Sequence, residues 1–135
     1  MRTDKFEVLI LGGGNAAMGA TVAPRKAGLS VALIEARDLG GTCPNRGCMP
    51  KKVLVAAAHA LDEISRAKAH HIAVGTPKLD WTALIDREKA MIKDVPDRMA
   101  KLLADRGVEV LRGTAAFAGP NMVKLGDRTL QASTS

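Results

Sequence analysis

The chemistry-bearing residues of this chain are concentrated in one run, Gly40-Gly41-Thr42-Cys43-Pro44-Asn45-Arg46-Gly47-Cys48-Met49-Pro50-Lys51-Lys52, which holds its only two cysteines, separated by four residues. A close cysteine pair in a chain that is not expected to be exported points to redox chemistry or metal binding before a structural bridge. A metal needs more than two sulfurs. The available partners are His59, His70 and His71, and the adjacent pair points in different directions on a helix, so no metal site is expected. Cys48 stands where a helix from Pro50 to about Lys68 begins, with Val53, Ala57, Leu61 and Ile64 along one face. A thiolate at that end is favoured by the helix dipole and free N–H groups, so the Cys48 thiol is expected to titrate below an ordinary cysteine. Lys51 and Lys52 in the first turn oppose the dipole but favour a nearby thiolate.

A second motif precedes the cysteines. Val8 to Leu11 is a short apolar run of the kind a doubly covered parallel strand uses, followed by Gly12-Gly13-Gly14-Asn15-Ala16-Ala17. Gly12 suits a tight turn, Gly14 allows close approach of a pyrophosphate, and Ala17 is small enough for helix–strand packing. A helix from Asn15 to Ala27 would aim its first N–H groups, those of Asn15 and Ala16 among them, at the phosphates. Pro24 should bend it. Gly28-Leu29 then leads into the strand Ser30 to Ile34, and the acid that follows, Glu35, is placed with Ala36 to meet a ribose. Strand, turn, helix, strand and acid in that order indicate a dinucleotide site rather than an isolated glycine turn.

These elements closely resemble the N-terminal part of the flavin-dependent pyridine nucleotide-disulfide oxidoreductases, the family of glutathione reductase, dihydrolipoamide dehydrogenase and mercuric reductase. The resemblance is carried by Gly12-Gly13-Gly14, Glu35, Gly40-Gly41-Thr42-Cys43, Gly47-Cys48, Pro50 and Lys52, and continues more weakly through Gly113-Thr114-Ala115-Ala116-Phe117. It implies FAD as the nucleotide, with Glu35 on the adenosine ribose, Gly41 and Thr42 near the pyrophosphate, Ala115 at the adenine end and Lys52 facing the flavin. It also implies a Cys43–Cys48 redox disulfide, reduced through FAD by NAD(P)H. Cys48 would be the thiolate beside the flavin, and Cys43, in an exposed loop, the thiol that attacks a disulfide, lipoamide or mercuric-ion substrate. Two positions depart from the family pattern: Lys51 replaces a usual serine or threonine, and Met49 a usual valine or isoleucine.

The expected fold is α/β, a Rossmann-like FAD-binding domain with a parallel sheet and a small C-terminal β-meander. It is expected to be incomplete: residues 1–135 would make up the N-terminal part of that domain, with the nicotinamide-binding and interface domains of the family absent from this stretch. By itself such a segment is expected not to turn over. Downstream, Asp80 reads as the N-cap of a long helix from Trp81 to Asp105, kinked at Pro96. Its apolar stripe, including Leu84, Met91, Met99, Leu102 and Leu103, is expected in the core. Val108 to Leu111 reads as a third parallel strand, and Ala115–Ala118, Met122–Leu125 and Thr129–Gln131 as the meander.

A formal net charge of +6 invites a nucleic-acid reading, but the basic residues are scattered and aromatics are only 2% of the chain. No run approaches membrane-spanning length. Asp4, Glu7 and the glycine turn argue against a signal peptide, so the expected location is cytoplasmic, with a homodimeric full-length parent. The alternative of a different class is a non-catalytic nucleotide-binding or redox-sensing module.

Overall fold

The structure, a computed structural model, describes residues 3–133. The chain runs β1 (Thr3–Phe6), β2 (Val8–Leu11), α1 (Asn15–Ala20), α2 (Val22–Lys26), β3 (Val31–Glu35), α3 (Thr42–Arg46) and α4 (Cys48–Arg66). A 3-10 turn (Ala67–His70) follows, then α5 (Trp81–Ile92), α6 (Val95–Asp105), β4 (Glu109–Arg112), β5 (Ala115–Gly119), β6 (Met122–Leu125) and β7 (Arg128–Ala132). The expected parallel sheet is present in the order β2-β3-β4. The expected meander is β5-β6-β7, extended by β1, which pairs in parallel with β7. The polar sequence of β1 gives no strand signal; its pairing with β7, and the Arg128 guanidinium on the Asp4 carboxylate at 2.7 Å, supply what the sequence pattern lacks.

β3 organises the core because successive side chains leave opposite faces of a strand. Val31 and Leu33 point into a cluster with Ala17, Met18, Leu39, Leu103 and Val108, on the helix side. Ala32 and Ile34 point the other way, into Leu111, Val123, Leu125 and Leu130, against the second sheet. All four are at most 2% exposed. A strand buried on both faces reads as an unbroken apolar run, as Val31 to Ile34 does.

Both long helices break earlier than their prolines. The expected Asn15–Ala27 helix divides at Thr21, three residues before Pro24. Pro24 has no N–H for the Ala20 carbonyl. The fully buried Thr21 donates its hydroxyl to the Met18 carbonyl at 2.9 Å, and Arg106 Nη1 donates to the same carbonyl at 2.6 Å and to Thr21 Oγ1 at 3.0 Å. The downstream helix divides at Lys93-Asp94, which leaves Pro96 in the first turn of α6, where a missing N–H is tolerated. Asp80 caps α5 as expected, accepting the Ala83 N–H at 2.9 Å.

The division at Lys93-Asp94 corrects the expected apolar stripe. Val95 and Leu103 of α6 are buried, but α5 buries no residue, and Trp81 and Met91 are about half exposed. Once the helix is split, the stripe no longer runs along one continuous face. Leu84 and Met91 lie against α4 instead of the sheets. No described helix is long and apolar enough to cross a membrane.

Before the first two core strands, Glu7 and Ser30 tie their entry loops together. The Glu7 carboxylate accepts the Ser30 N–H at 2.6 Å and its hydroxyl at 2.8 Å, while Glu7 N–H donates to Ser30 Oγ at 2.9 Å. These bonds to Ser30 hold the Glu7 carboxyl below the usual carboxylate range.

Two outcomes test this packing. Leu103→Ala should cost about 2–5 kcal/mol of unfolding free energy in a denaturant titration, while Met91→Ala stays within about 1 kcal/mol. Glu7→Gln should lower the Tm at neutral pH. Because the folded-state pKa of Glu7 is depressed, its contribution is present above an ordinary carboxylate pKa of about 4.3 and is lost as pH falls through the folded value. The Tm gap between the two proteins should therefore close in acid; a gap independent of pH overturns the role of the carboxylate.

Candidate active site

At the end of β2, Gly12 makes the turn with φ +95°, a conformation that favours glycine, and its N–H donates to the Ile34 carbonyl at 2.8 Å. Gly14 is the N-cap of α1 and supplies no side-chain cap, and a Cβ built on Gly14 would meet nothing within 4 Å. Open space in front of uncapped helix N–H groups suits a phosphate. Gly12, Glu35, Ala36 and Ala115 line one cavity of about 230 Å³, together with Leu11, Ile34, Gly113 and Thr114. Gly14 and Ala16 open on a neighbouring groove beside Ala20. The structure thus brings the strand-end acid, the glycine turn and the distant β5 segment to one place, and their small residues and donors fit a dinucleotide.

Glu35 does more there than the sequence pattern indicates. Its Oε2 accepts the Gly13 N–H and its Oε1 accepts the Arg37 N–H, both at 2.6 Å. The carboxylate therefore braces the glycine turn, and each oxygen keeps a further lone pair for a hydroxyl.

The cysteine segment is seated directly on this turn. Gly40 N–H donates to the Gly13 carbonyl at 2.7 Å, and Gly14 and Gly40 form a parallel bridge. Gly41 follows with φ +70° and ψ −154°, and a Cβ there would stand 2.9 Å from Gly14 Cα. Only glycine fits both the backbone and the approach. Thr42 then opens α3, with Gly41 as an N-cap that has no side chain. Asn45 fastens the loop from below, donating to the Leu39 carbonyl at 3.0 Å and the Gly41 carbonyl at 2.9 Å, and Arg46 pairs with Asp38. The sequence motifs assign no site role to Gly40 or Asn45; an amide side chain lodged between the two cysteines is the available signal.

Cys43 lies in α3, not in an exposed loop as expected, and it is half-buried while Cys48, at the first position of α4, is exposed. The chain doubles back at Gly47, where a Cβ would lie 3.1 Å from the Thr42 carbonyl oxygen and 3.5 Å from Cys43 Cα. That return lays Cys48 against Cys43. The two are free thiols in contact, and the hydrogen bond with the Cys48 side chain, followed by desolvation, pushes the Cys43 thiol up from its ordinary value. The Cys48 backbone N–H and the Asn15 side chain act in the opposite sense.

Lys52 is set apart from this cluster. One turn beyond Cys48, it lines a cleft of about 480 Å³ between α4 and α5, with Met49, Val53, Leu84, Arg87 and Met91.

The family described as pyridine nucleotide-disulphide oxidoreductase matches residues 6–134. Dihydrolipoyl dehydrogenase of Chlamydia muridarum is 30% identical over 122 residues, covering 90% of this chain and 26% of that protein. Dihydrolipoyl dehydrogenase of Bacillus subtilis is 34% identical over 110 residues, covering 80% of this chain and 24% of that protein. Mercuric reductase of Streptomyces lividans is 34% identical over 122 residues, covering 89% of this chain and 26% of that protein. The chain spans about a quarter of the length of these curated relatives. The matches imply FAD as the bound nucleotide. With that match running across both sheets and through the glycine turn and the paired cysteines, the chain belongs to the pyridine nucleotide-disulphide oxidoreductase family.

Proposed function

We propose that this chain is the N-terminal FAD-binding segment of a disulfide oxidoreductase that passes electrons from NAD(P)H to a Cys43–Cys48 disulfide and on to a small-molecule disulfide, lipoamide or mercuric ion. The observation that carries this reading is the contact between the Gly12–Gly14 turn and Gly40-Gly41, which sets a nucleotide cradle beside two touching thiols. In this reading the nicotinamide-binding and interface domains belong to the remainder of a longer, cytoplasmic, homodimeric protein, and the segment alone does not turn over.

In this reading Gly12, Gly14, Asn15 and Ala16 would offer backbone to the phosphates, and Glu35 and Ala36 would meet the ribose. Gly41 and Thr42 would border the pyrophosphate and Ala115 the adenine, while Lys52, on the α4–α5 cleft, would face the flavin only from the far side of the cysteine pair. FAD, when bound, would supply the relay of an electron pair from a hydride donor to a disulfide that a thiol pair cannot carry out by itself. Uptake of two electrons and one proton breaks the Cys43–Cys48 bond and leaves a thiol at Cys43 and a thiolate at Cys48. The contact that holds the proton on Cys43 is consistent with that division. Cys43 then gives its proton to solvent and attacks a substrate disulfide, forming a mixed disulfide and releasing one thiolate. Cys48 attacks the Cys43 sulfur, re-forming the protein disulfide and releasing the second thiolate; two protons from solvent complete two product thiols.

Two measurements test the reading. Glu35→Ala should raise the Kd for FAD by about tenfold or more in a flavin fluorescence titration, because it removes a ribose acceptor and the brace on Gly13 together. An unchanged Kd overturns the assignment. In FAD-loaded protein, Cys43→Ser should show a long-wavelength absorbance shoulder without reductant, from the Cys48 thiolate beside the oxidised flavin, and Cys48→Ser should lack it at every pH. Survival of the shoulder in Cys48→Ser reverses the roles of the cysteines, and its absence from both variants sinks the proposal.

A further inference from the structure

The geometry points to Asn45 as a positioning residue for the dithiol: by tying the helix that carries Cys43 to the core-anchored loop before it, its side-chain amide sets how readily Cys43 and Cys48 close into a disulfide. The inference rests on the proposed dithiol chemistry and deepens it, since it names a residue that tunes the balance between the two redox forms. α3 has five residues, Thr42–Arg46, too few to hold a helix in place by its own backbone bonds. Its N-cap, Gly41, has no side chain to offer the first N–H groups. The N-cap carbonyls of the other five α-helices each accept the backbone N–H four residues on. The Gly41 carbonyl accepts the side-chain amide of Asn45, also four residues on, at 2.9 Å. The same nitrogen donates to the Leu39 carbonyl at 3.0 Å, and Leu39 is fully buried in the helical cluster against β3. Only the nitrogen end of an amide can serve two carbonyls at once, and its two hydrogens match them.

The consequence for the cysteines follows from where the amide sits. Asn45 lies two residues after Cys43 and three before Cys48. Between them the chain doubles back at Gly47, where a Cβ would stand 3.5 Å from Cys43 Cα. Closing the disulfide requires that doubled-back arrangement, whereas two separate thiols do not. On closure the thiols lose two protons and two electrons to a small-molecule disulfide, whose own S–S bond breaks to give two thiols as the Cys43–Cys48 bond forms. A reduced chain that can leave the arrangement forms the bond less favourably, in proportion to the fraction that stays in it. The amide keeps that fraction high by holding α3 to Leu39. The oxidised form is held by its own covalent bond, so losing the amide acts on the reduced form and weakens the disulfide. The Arg46–Asp38 pair also links α3 to this loop, but it is open to solvent and contributes less.

The test reads the dithiol in the flavin-free chain, so its failure is distinct from failure of the proposed function, which the flavin spectrum reads. The chain is equilibrated at neutral pH in graded mixtures of oxidised and reduced dithiothreitol, and the disulfide fraction is read by alkylation and mass spectrometry. Asn45→Ala and Asn45→Asp should each weaken the Cys43–Cys48 disulfide about three- to tenfold, a rise of about 15–30 mV in its potential. The second variant keeps the shape of the side chain without its N–H donors. Asn45→Gln, which keeps the donors one bond farther out, should recover part of the strength and guards against a folding defect in the other two. Val123→Ala removes volume from the cluster against the second sheet, away from the loop, and should leave the equilibrium within about twofold. An unchanged potential in Asn45→Ala and Asn45→Asp overturns the proposal. So does a shift in Val123→Ala as large as theirs, or a potential for Asn45→Gln no nearer the parent than that of Asn45→Ala.

Discussion

The structure depends on one close approach of backbone to backbone. Gly13 and Gly14 at the turn after β2 meet Gly40 and Gly41 at the entry to α3, and no side chain could stand between Gly41 and Gly14 Cα, 2.9 Å from where a Cβ would be. Two helix N-termini with glycine N-caps are thereby brought side by side. Their first-turn N–H groups carry the positive ends of the helix dipoles, and the cavity and groove beside Gly12 and Gly14 are lined by no lysine or arginine. Such a region suits the phosphates of a dinucleotide, and it lies next to the paired cysteines. Substituting Gly41 would separate the cradle from the thiols before it altered any chemical group.

The approach is possible because the strands behind it are rigid. β3 is buried on both faces, its odd-numbered side chains in the helical cluster and its even-numbered ones against the second sheet. Glu35 terminates this fixed strand, so its carboxylate reaches the Gly13 N–H from a position that the core determines. Leu39, fully buried a few residues later, anchors the segment that delivers Gly40 and Gly41. The Asn45 amide holds the carbonyls of that segment from α3. Core packing, an acid and an amide thus act in series to place the two cysteines.

Other parts of the chain are less enclosed. The accessible surface is 8952 Å², against about 6,800 Å² for a compact globule of this mass. Neither α4 nor α5 buries a residue, although both carry apolar stripes. Half-buried Val53, Ala57, Leu61 and Ile64 give α4 the stripe its periodicity indicates, and the cleft between α4 and α5 is lined mostly by apolar side chains with Lys52 and Arg87.

What the sequence by itself determined was local. Alternating and continuous apolar runs located β2 through β7, because a buried strand face requires them. Small residues at Gly12 and Gly14 and the acid at Glu35 identified the nucleotide turn, and the spacing of Cys43 and Cys48 identified the dithiol. Tertiary structure decided what lies far apart in the chain or depends on competition between contacts. β1 has no signal of its own and exists through pairing with β7. The helix breaks fell at Thr21 and Lys93-Asp94, not at Pro24 and Pro96; a proline forbids a bond to the preceding turn, but at the first break the buried Thr21 and its half-buried partner Arg106 choose where the chain yields. The α5 stripe missed the core for the same reason: periodicity shows that a face is apolar, not which surface it meets. Cys43 entered a helix, and the nucleotide turn and Cys48 came to lie on either side of it, because the glycine approaches at Gly40, Gly41 and Gly47 brought α1, α3 and α4 together, and no spacing within one segment encodes the meeting of three.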